Sequence, residues 1–306
     1  MRLLYKPLLR VLSTVVGVVI LTYFVMASIP GNPIFSKYDK GISQEELNIK
    51  LKSEKISVFN VQQFLSYGKK LLLFDFGKSK ITGENINDEI AIRVYNTFQL
   101  TVFAVIIFLS LGLGLGLLGA LFSGSFLDQL FKLITAMFMS TPVFWFGLVL
   151  MIVFSLQLSI LPASGSDTFV HLILPAFTIG LRPAAFLQRL VQSRIEEALQ
   201  SPFVQVAMSK GLSPNYVLIH HALRNALIPI VTIIALEFSQ LMTGAVVAET
   251  IFSYKGIGTY ILQGINSRDY NIILATVYVT CLFVIFINLI LDLTYSWIDP
   301  RLKEEN

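Results

Sequence analysis

The chain has 306 residues, of which 55% are hydrophobic and 14% charged, and a mean hydropathy of +0.72, a balance that excludes an ordinary soluble enzyme. A single cysteine, Cys281, leaves no intramolecular disulfide and no Cys/His cluster for zinc. The net charge of +4 is scattered along the chain, which fits basic loops at a membrane and not a nucleic-acid footprint.

Uncharged stretches mark the spans. They cover residues 11–29, 94–127, 133–166 and 270–291, and each can cross a hydrocarbon core of about 30 Å, which takes roughly 20 helical residues. Two weaker spans complete six: 168–190, interrupted by Arg182 and Arg189, and 226–247, interrupted by Glu237. With the N-terminus inside, the inner segments carry eleven Lys and Arg and the short outer loops only Lys255 and Arg268; the other ten lie between residues 30 and 93. Long translocated segments escape the positive-inside bias, so both termini are expected in the cytoplasm. Met26, Ala27 and Ser28 resemble a cleavage site, but a 19-residue apolar core exceeds the roughly 7–15 of a signal peptide, so the first span reads as a retained anchor.

The expected organisation is a tail and first span over 1–29, a small polar extracytoplasmic insert over 30–93, a five-helix core over 94–298 with a cytoplasmic loop at 194–225, and a cytoplasmic tail over 299–306. Several motifs mislead. Gly114, Gly116 and Gly119 spell a dinucleotide fingerprint inside a membrane run, where small residues serve helix packing instead. Gly77-Lys78-Ser79 ends like a phosphate loop, yet Leu72 stands where its first glycine belongs. Asp75-Phe76-Gly77 matches a kinase triplet without the accompanying kinase motifs. His171, His220 and His221 lack the spacing of a metal or catalytic site and read as packed or interfacial. Glu237 either lines a translocation path or pairs within the bundle near Arg182; Trp145 is either a path residue or an interfacial anchor.

The 194–225 loop is more informative. Ser201-Pro202 and Ser213-Pro214 each place a hydroxyl cap before a proline at the first helical position, and Gly211 between them suits a left-handed helix end. The loop therefore reads as helix, glycine turn, helix. Its first helix is expected to expose Phe203, Val204, Val206, Ala207 and Met208, which either dock on a partner or pack beneath the chain's own bundle.

The run 205–213 (QVAMSKGLS), followed by 221–229 (HALRNALIP), resembles the cytoplasmic EAA loop of ATP-binding-cassette importer permeases, in particular the B-type permease of the peptide/nickel branch. Asp75-Phe76-Gly77-Lys78-Ser79, the run PVFWFG at 142–147, LPASG at 161–165, HLILP at 171–175, GAVVAE at 244–249, Gly256-Ile257-Gly258 and Asp299-Pro300-Arg301 resemble that branch in the same order. There are departures, one being a segment before the Asp75 motif that is shorter than in many members of the branch. The glutamate opening the general EAA pattern is absent, with Gln205 and Val206 near its place, and His221 and Arg224 replace later isoleucine and proline positions; Gly211 is retained.

The resemblance implies an all-α, polytopic fold of six transmembrane helices, of the type I importer class, in the bacterial cytoplasmic membrane. It implies a permease without catalytic, cofactor or metal site of its own. Its partners would be a second permease, two ATPase subunits that bind ATP and Mg, and an extracytoplasmic solute-binding protein. Pro202, Phe203, Val204, Val206, Ala207, Met208, Lys210 and Gly211 would then form the element coupled to an ATPase. The solute would be a peptide or related small molecule, with nickel or a metal chelate as the alternative. A membrane-embedded hydrolase using His220, His221 and Glu237 is the remote one, since spacing supplies no nucleophile–base pair.

Overall fold

The computed structural model describes residues 13–24, 61–79, 81–217 and 223–298. Its elements are α1 (Ser13–Phe24), α2 (Val61–Leu72), α3 (Ile86–Leu121), α4 (Phe126–Ser140), α5 (Val143–Leu150) with a π-helical extension (Met151–Gln157), α6 (Val170–Leu199), α7 (Pro202–Ser209), α8 (Pro214–Val217), α9 (Leu223–Ile251), α10 (Ile257–Ser267) and α11 (Tyr270–Ile298). Among the described residues, β-pairing is limited to an isolated antiparallel bridge between Lys78 and Asn85. The fold is all-α.

The six places predicted from the charge-free runs are taken by α1, α3, the α4–α5 pair, α6, α9 and α11. Helices α3, α6 and α11 are long and apolar enough to cross a membrane singly, and the α4–α5 pair with its π extension makes a fourth span only as a broken one, bent by 108°. The continuous third span expected from the sequence is thus corrected to a bent pair. Pro142 is the cause: it forces Thr141 into an extended conformation (φ −83°, ψ 129°), and α5 starts afresh behind it. In α6, by contrast, Pro175 and Pro183 lie within one helix, which also extends nine residues past the end of the expected span.

The chain divides into two compact units, Met1–Val94 with Tyr260–Leu289, and Tyr95–Thr259 with Ile290–Asn306. In the first, Val19, Leu71 and Tyr278 form one cluster and Ile86, Ile90, Tyr260, Ile272 and Ala275 another. Alternation around α1 explains its place: Val19 and Tyr23 turn inward while Val16, Ile20, Leu21 and Phe24 face out, as expected of a helix in contact with lipid. The motif at 75–79 is a structural turn. Ser79 Oγ donates to Asp269 Oδ2 at 2.8 Å and accepts from the amides of Ile81 and Thr82, while Asp269 Oδ1 accepts from Asn271 N and caps the start of α11.

In the second unit α6 is the central helix, packed against α4, α5 and α9. Leu187, Val191 and Ile195 on α6 share a core with Leu100, Ala104 and Phe108 of α3 and with Ile230, Leu241 and Ala245 of α9. The glycines of the false nucleotide fingerprint explain how α3 approaches so closely. A Cβ at Gly116 would lie 2.6 Å from Val191 Cβ, and one at Gly119 2.6 Å from Gln192 Oε1. Gly114 faces open space.

Candidate functional site

Two places in the second unit carry the residues singled out from the sequence. The first is the connection between α6 and α9. Pro202 opens α7, and the amide of Val204 reaches the Ser201 carbonyl at 3.1 Å. The Ser201 hydroxyl turns back to donate to the Ala198 carbonyl, whereas Ser213 Oγ accepts from the Tyr216 amide at 3.4 Å, so a hydroxyl cap forms at the second helix. Helix α7 ends as its sequence predicts: Lys210 N bonds to the carbonyls of Val206 and Ala207, and Gly211 follows at φ +82°.

The expectation that five apolar side chains of α7 are exposed needs correction. Val204 (2% exposed) and Ala207 are buried against Val217 of α8, with Leu199 at the end of α6 beside them. The reason is helical spacing: residues three apart share a face, and that face meets the returning α8. Val206 lies on the other side and is 56% exposed, as are Pro202, Lys210 and Gly211 to varying extents. The side chains of Phe203 and Met208, and the whole of His220 and His221, lie outside the described residues. Tyr216 and Leu212 join Val206 as exposed large hydrophobic residues of this loop. They were missed from sequence because a four-residue helix shows no periodicity that could separate Tyr216 from its buried neighbour Val217.

The second place is a cavity of about 320 Å³ between α4, α5, α6 and α9. Arg182, Pro183 and Phe186 of α6 line it, opposite Glu237, Gln240 and Gly244 of α9. The sequence left Glu237 between lining a path and pairing near Arg182; both residues line this cavity, with no ion pair within 4.0 Å joining them among the described residues. Trp145 on α5 is more than half exposed and lies off the cavity. His171 stands in the first turn of α6, its Nδ1 2.8 Å from the Thr168 hydroxyl.

Two polar networks brace this unit. Along one face of α6, Gln188, Gln192 and Glu196 stand four residues apart. Gln188 Nε2 donates to Gln192 Oε1 at 2.9 Å, and Gln192 Nε2 donates to Asp128 Oδ1 at 2.6 Å and to Glu196 Oε1 at 2.9 Å. Lys132 Nζ donates to the other oxygen of Asp128 at 2.8 Å. At the far end of α9, Glu249 is fully buried: Oε1 accepts from the Thr97 hydroxyl and Oε2 from the Thr259 amide. Burial, with that carboxylate beside it, pushes the phenol of Tyr254 up to about 12. The sequence marked Glu249 only as the end of a motif; its partner Thr97 lies 152 residues away, and no local signal links them.

A family model described as the binding-protein-dependent transport system inner membrane component matches residues 112–304. The dipeptide transport system permease protein DppB of Alkalihalophilus pseudofirmus is 33% identical over 97% of this chain and 98% of its own length. The glutathione transport system permease protein GsiC of Escherichia coli K12 is 31% identical, with 97% of each chain covered. Among solved structures, the inward-facing MetNI methionine ABC transporter superposes with a TM-score of 0.58 at 16% identity, covering 69% of this chain and 96% of that one, a likeness of fold. The chain belongs to the binding-protein-dependent transport system inner membrane components, as an ABC importer permease of the peptide branch.

Proposed function

We propose that this subunit forms, with a second and different permease, the membrane path of an ATP-driven importer for peptides or related small solutes. Both termini and the 194–225 loop lie in the cytoplasm in this reading, the 30–93 insert lies outside, and residues 94–298 form the permease core. An extracytoplasmic binding protein delivers the solute. ATP and Mg are bound by two separate ATPase subunits, and this chain makes and breaks no bond.

The observation that carries the reading is the continuity of α6. One 30-residue helix lines the cavity at Arg182 and ends at Leu199, three residues before α7 begins. A displacement of α7 by an ATPase is thus passed to the cavity wall through a packed, regular element. Val206, Lys210 and the Gly211 turn offer the contact surface; Val204 and Ala207 hold α7 against α8 and Leu199 so that it moves as one body. Nucleotide binding shifts the path between two arrangements because the ATPases make different contacts with α7 in each. Glu237 contributes to the path, and Trp145 flanks it.

The test is uptake by the complete complex in proteoliposomes. Labelled dialanine is expected to accumulate only with ATP and the binding protein together. Accumulation that needs neither, or none under any condition, would overturn the proposal.

A further inference from the structure

The 320 Å³ cavity combines features that point to the chemistry of its occupant. It holds one guanidinium, Arg182, and one carboxylate, Glu237, on opposite helices, and among the described residues no ion pair within 4.0 Å joins them. Ionisable groups at membrane depth are costly and face protein or water-filled space. Two such groups of opposite sign that served only the bundle would close on each other. Gln240 stands with Glu237 on α9, three residues on, and supplies an amide that both donates and accepts. Pro183 has no amide proton for the Ile179 carbonyl, and both residues line the same space. The remaining wall includes Met139, Phe186 and Leu241, apolar side chains that accommodate varied shapes.

We infer that this cavity is a solute subsite for a short zwitterion, in which Arg182 takes the carboxylate and Glu237 the ammonium of a peptide with both termini free. The inference rests on the peptide-importer reading and adds to it which solute groups are recognised inside the membrane, and by which residues. Guanidinium suits a carboxylate because its forked donors meet both oxygens. Glu237, together with the freed Ile179 carbonyl, offers acceptors to an ammonium, and Gln240 matches the peptide bond between the two ends. Apolar walls leave the side chains of the peptide unselected. The site therefore reads the termini and tolerates the rest, which is what a carrier of many short peptides needs.

The experiment uses the full complex in nanodiscs without binding protein, so that the membrane subunits alone discriminate. Binding of tritiated dialanine is competed with N-acetyl-dialanine, dialanine amide and the doubly blocked N-acetyl-dialanine amide. In the wild type each blocked terminus is expected to weaken competition roughly tenfold or more, the loss of one charge-assisted contact. Glu237→Gln should bind N-acetyl-dialanine as well as dialanine while still rejecting the amide, and Arg182→Gln should show the converse. A loss of binding shared equally by all four ligands in both variants would mark a structural role and overturn the inference. If the variants fail to assemble, the wild type decides by itself: a flat competition pattern, or no dialanine binding at millimolar concentration, overturns the site. Wild-type uptake in proteoliposomes separates the two readings. Uptake with a flat pattern removes this site alone, whereas absence of uptake removes the peptide-importer reading and the site with it.

Discussion

Thr97 Oγ1 lies 2.5 Å from Glu249 Oε1, and both side chains are withdrawn from solvent, so one hydroxyl ties α3 to the end of α9. That hydroxyl also accepts from the Ile257 amide at 2.9 Å, which fixes the start of α10. Thr97→Val keeps the shape but leaves a buried carboxylate and a buried amide each short of a partner, at about 1–3 kcal/mol apiece. A clear fall in the thermal midpoint of the purified complex is expected, with Thr97→Ser restoring most of it. An unchanged midpoint for the valine variant would show that the pair contributes no stability.

Gly256 depends on the same carboxylate. A Cβ there would sit 2.0 Å from Glu249 Oε1, a distance no real contact tolerates, and Glu249 is held by two hydrogen bonds from Thr97 and Thr259. Gly256→Ala is expected to reduce the amount of folded subunit in membranes severalfold. Gly244→Ala, in open space on α9, is the control and should accumulate normally. Quantitative immunoblotting of membranes separates the two, and equal abundance would contradict the close approach.

Val204 and Val206 differ by two positions and face opposite ways on α7. Val204→Asp buries a charge beside Ala207 and Val217 and should lower subunit abundance, because the group must either ionise in an apolar cluster or push α8 away. Val206→Asp should leave abundance intact yet reduce uptake and substrate-stimulated ATP hydrolysis by the complex. Normal transport by the Val206 variant at normal abundance would remove that residue from the docking surface.

Topology is tested with Cys281 replaced by serine. A cysteine at Ser53 is expected to react with an impermeant thiol reagent from outside, and one at Ser213 only after the membrane is opened. Equal labelling from outside at both positions would contradict the six-span orientation.

The spans were legible because charge-free runs of sufficient length have few folded alternatives, and the glycine series at 114–119 was legible as helix packing because a nucleotide site needs a polar turn that is missing there. Pairings at long range were not. Thr97 and Glu249 carry no shared pattern, and neither do Ser79 and Asp269, 190 residues apart. The broken third span was visible in principle as Pro142, but prolines within α6 show that the residue type alone does not decide between a kink and a break. Val204 and Ala207 were misplaced for a related reason: their cover comes from Val217, beyond a glycine turn that hydrophobic periodicity cannot follow.

Gly211 gives the sharpest test of the coupling element. It stands at φ +82° immediately after Lys210, and among the described residues nothing beyond its chain neighbours lies within 4 Å of where a Cβ would be. A substitution here collides with nothing; its effect is carried by the backbone alone. An L-residue in the left-handed region costs roughly 1–2 kcal/mol, more for a β-branched side chain, while asparagine visits that region readily. The expected order of retained uptake is therefore glycine, asparagine, alanine, valine, a ranking that follows conformational preference and not side-chain size, since asparagine is larger than alanine. Abundance should stay near normal throughout because the spans are untouched. In the valine variant the backbone after Lys210 leaves the left-handed turn, and α7 loses the orientation that presents Val206 while Val204 and Ala207 stay covered. Substrate-stimulated ATPase activity and uptake should then fall together. If the order instead follows size, with asparagine worse than alanine, the open space around Gly211 is filled by a partner surface in the assembled complex, and close contact, not backbone geometry, is what the glycine provides.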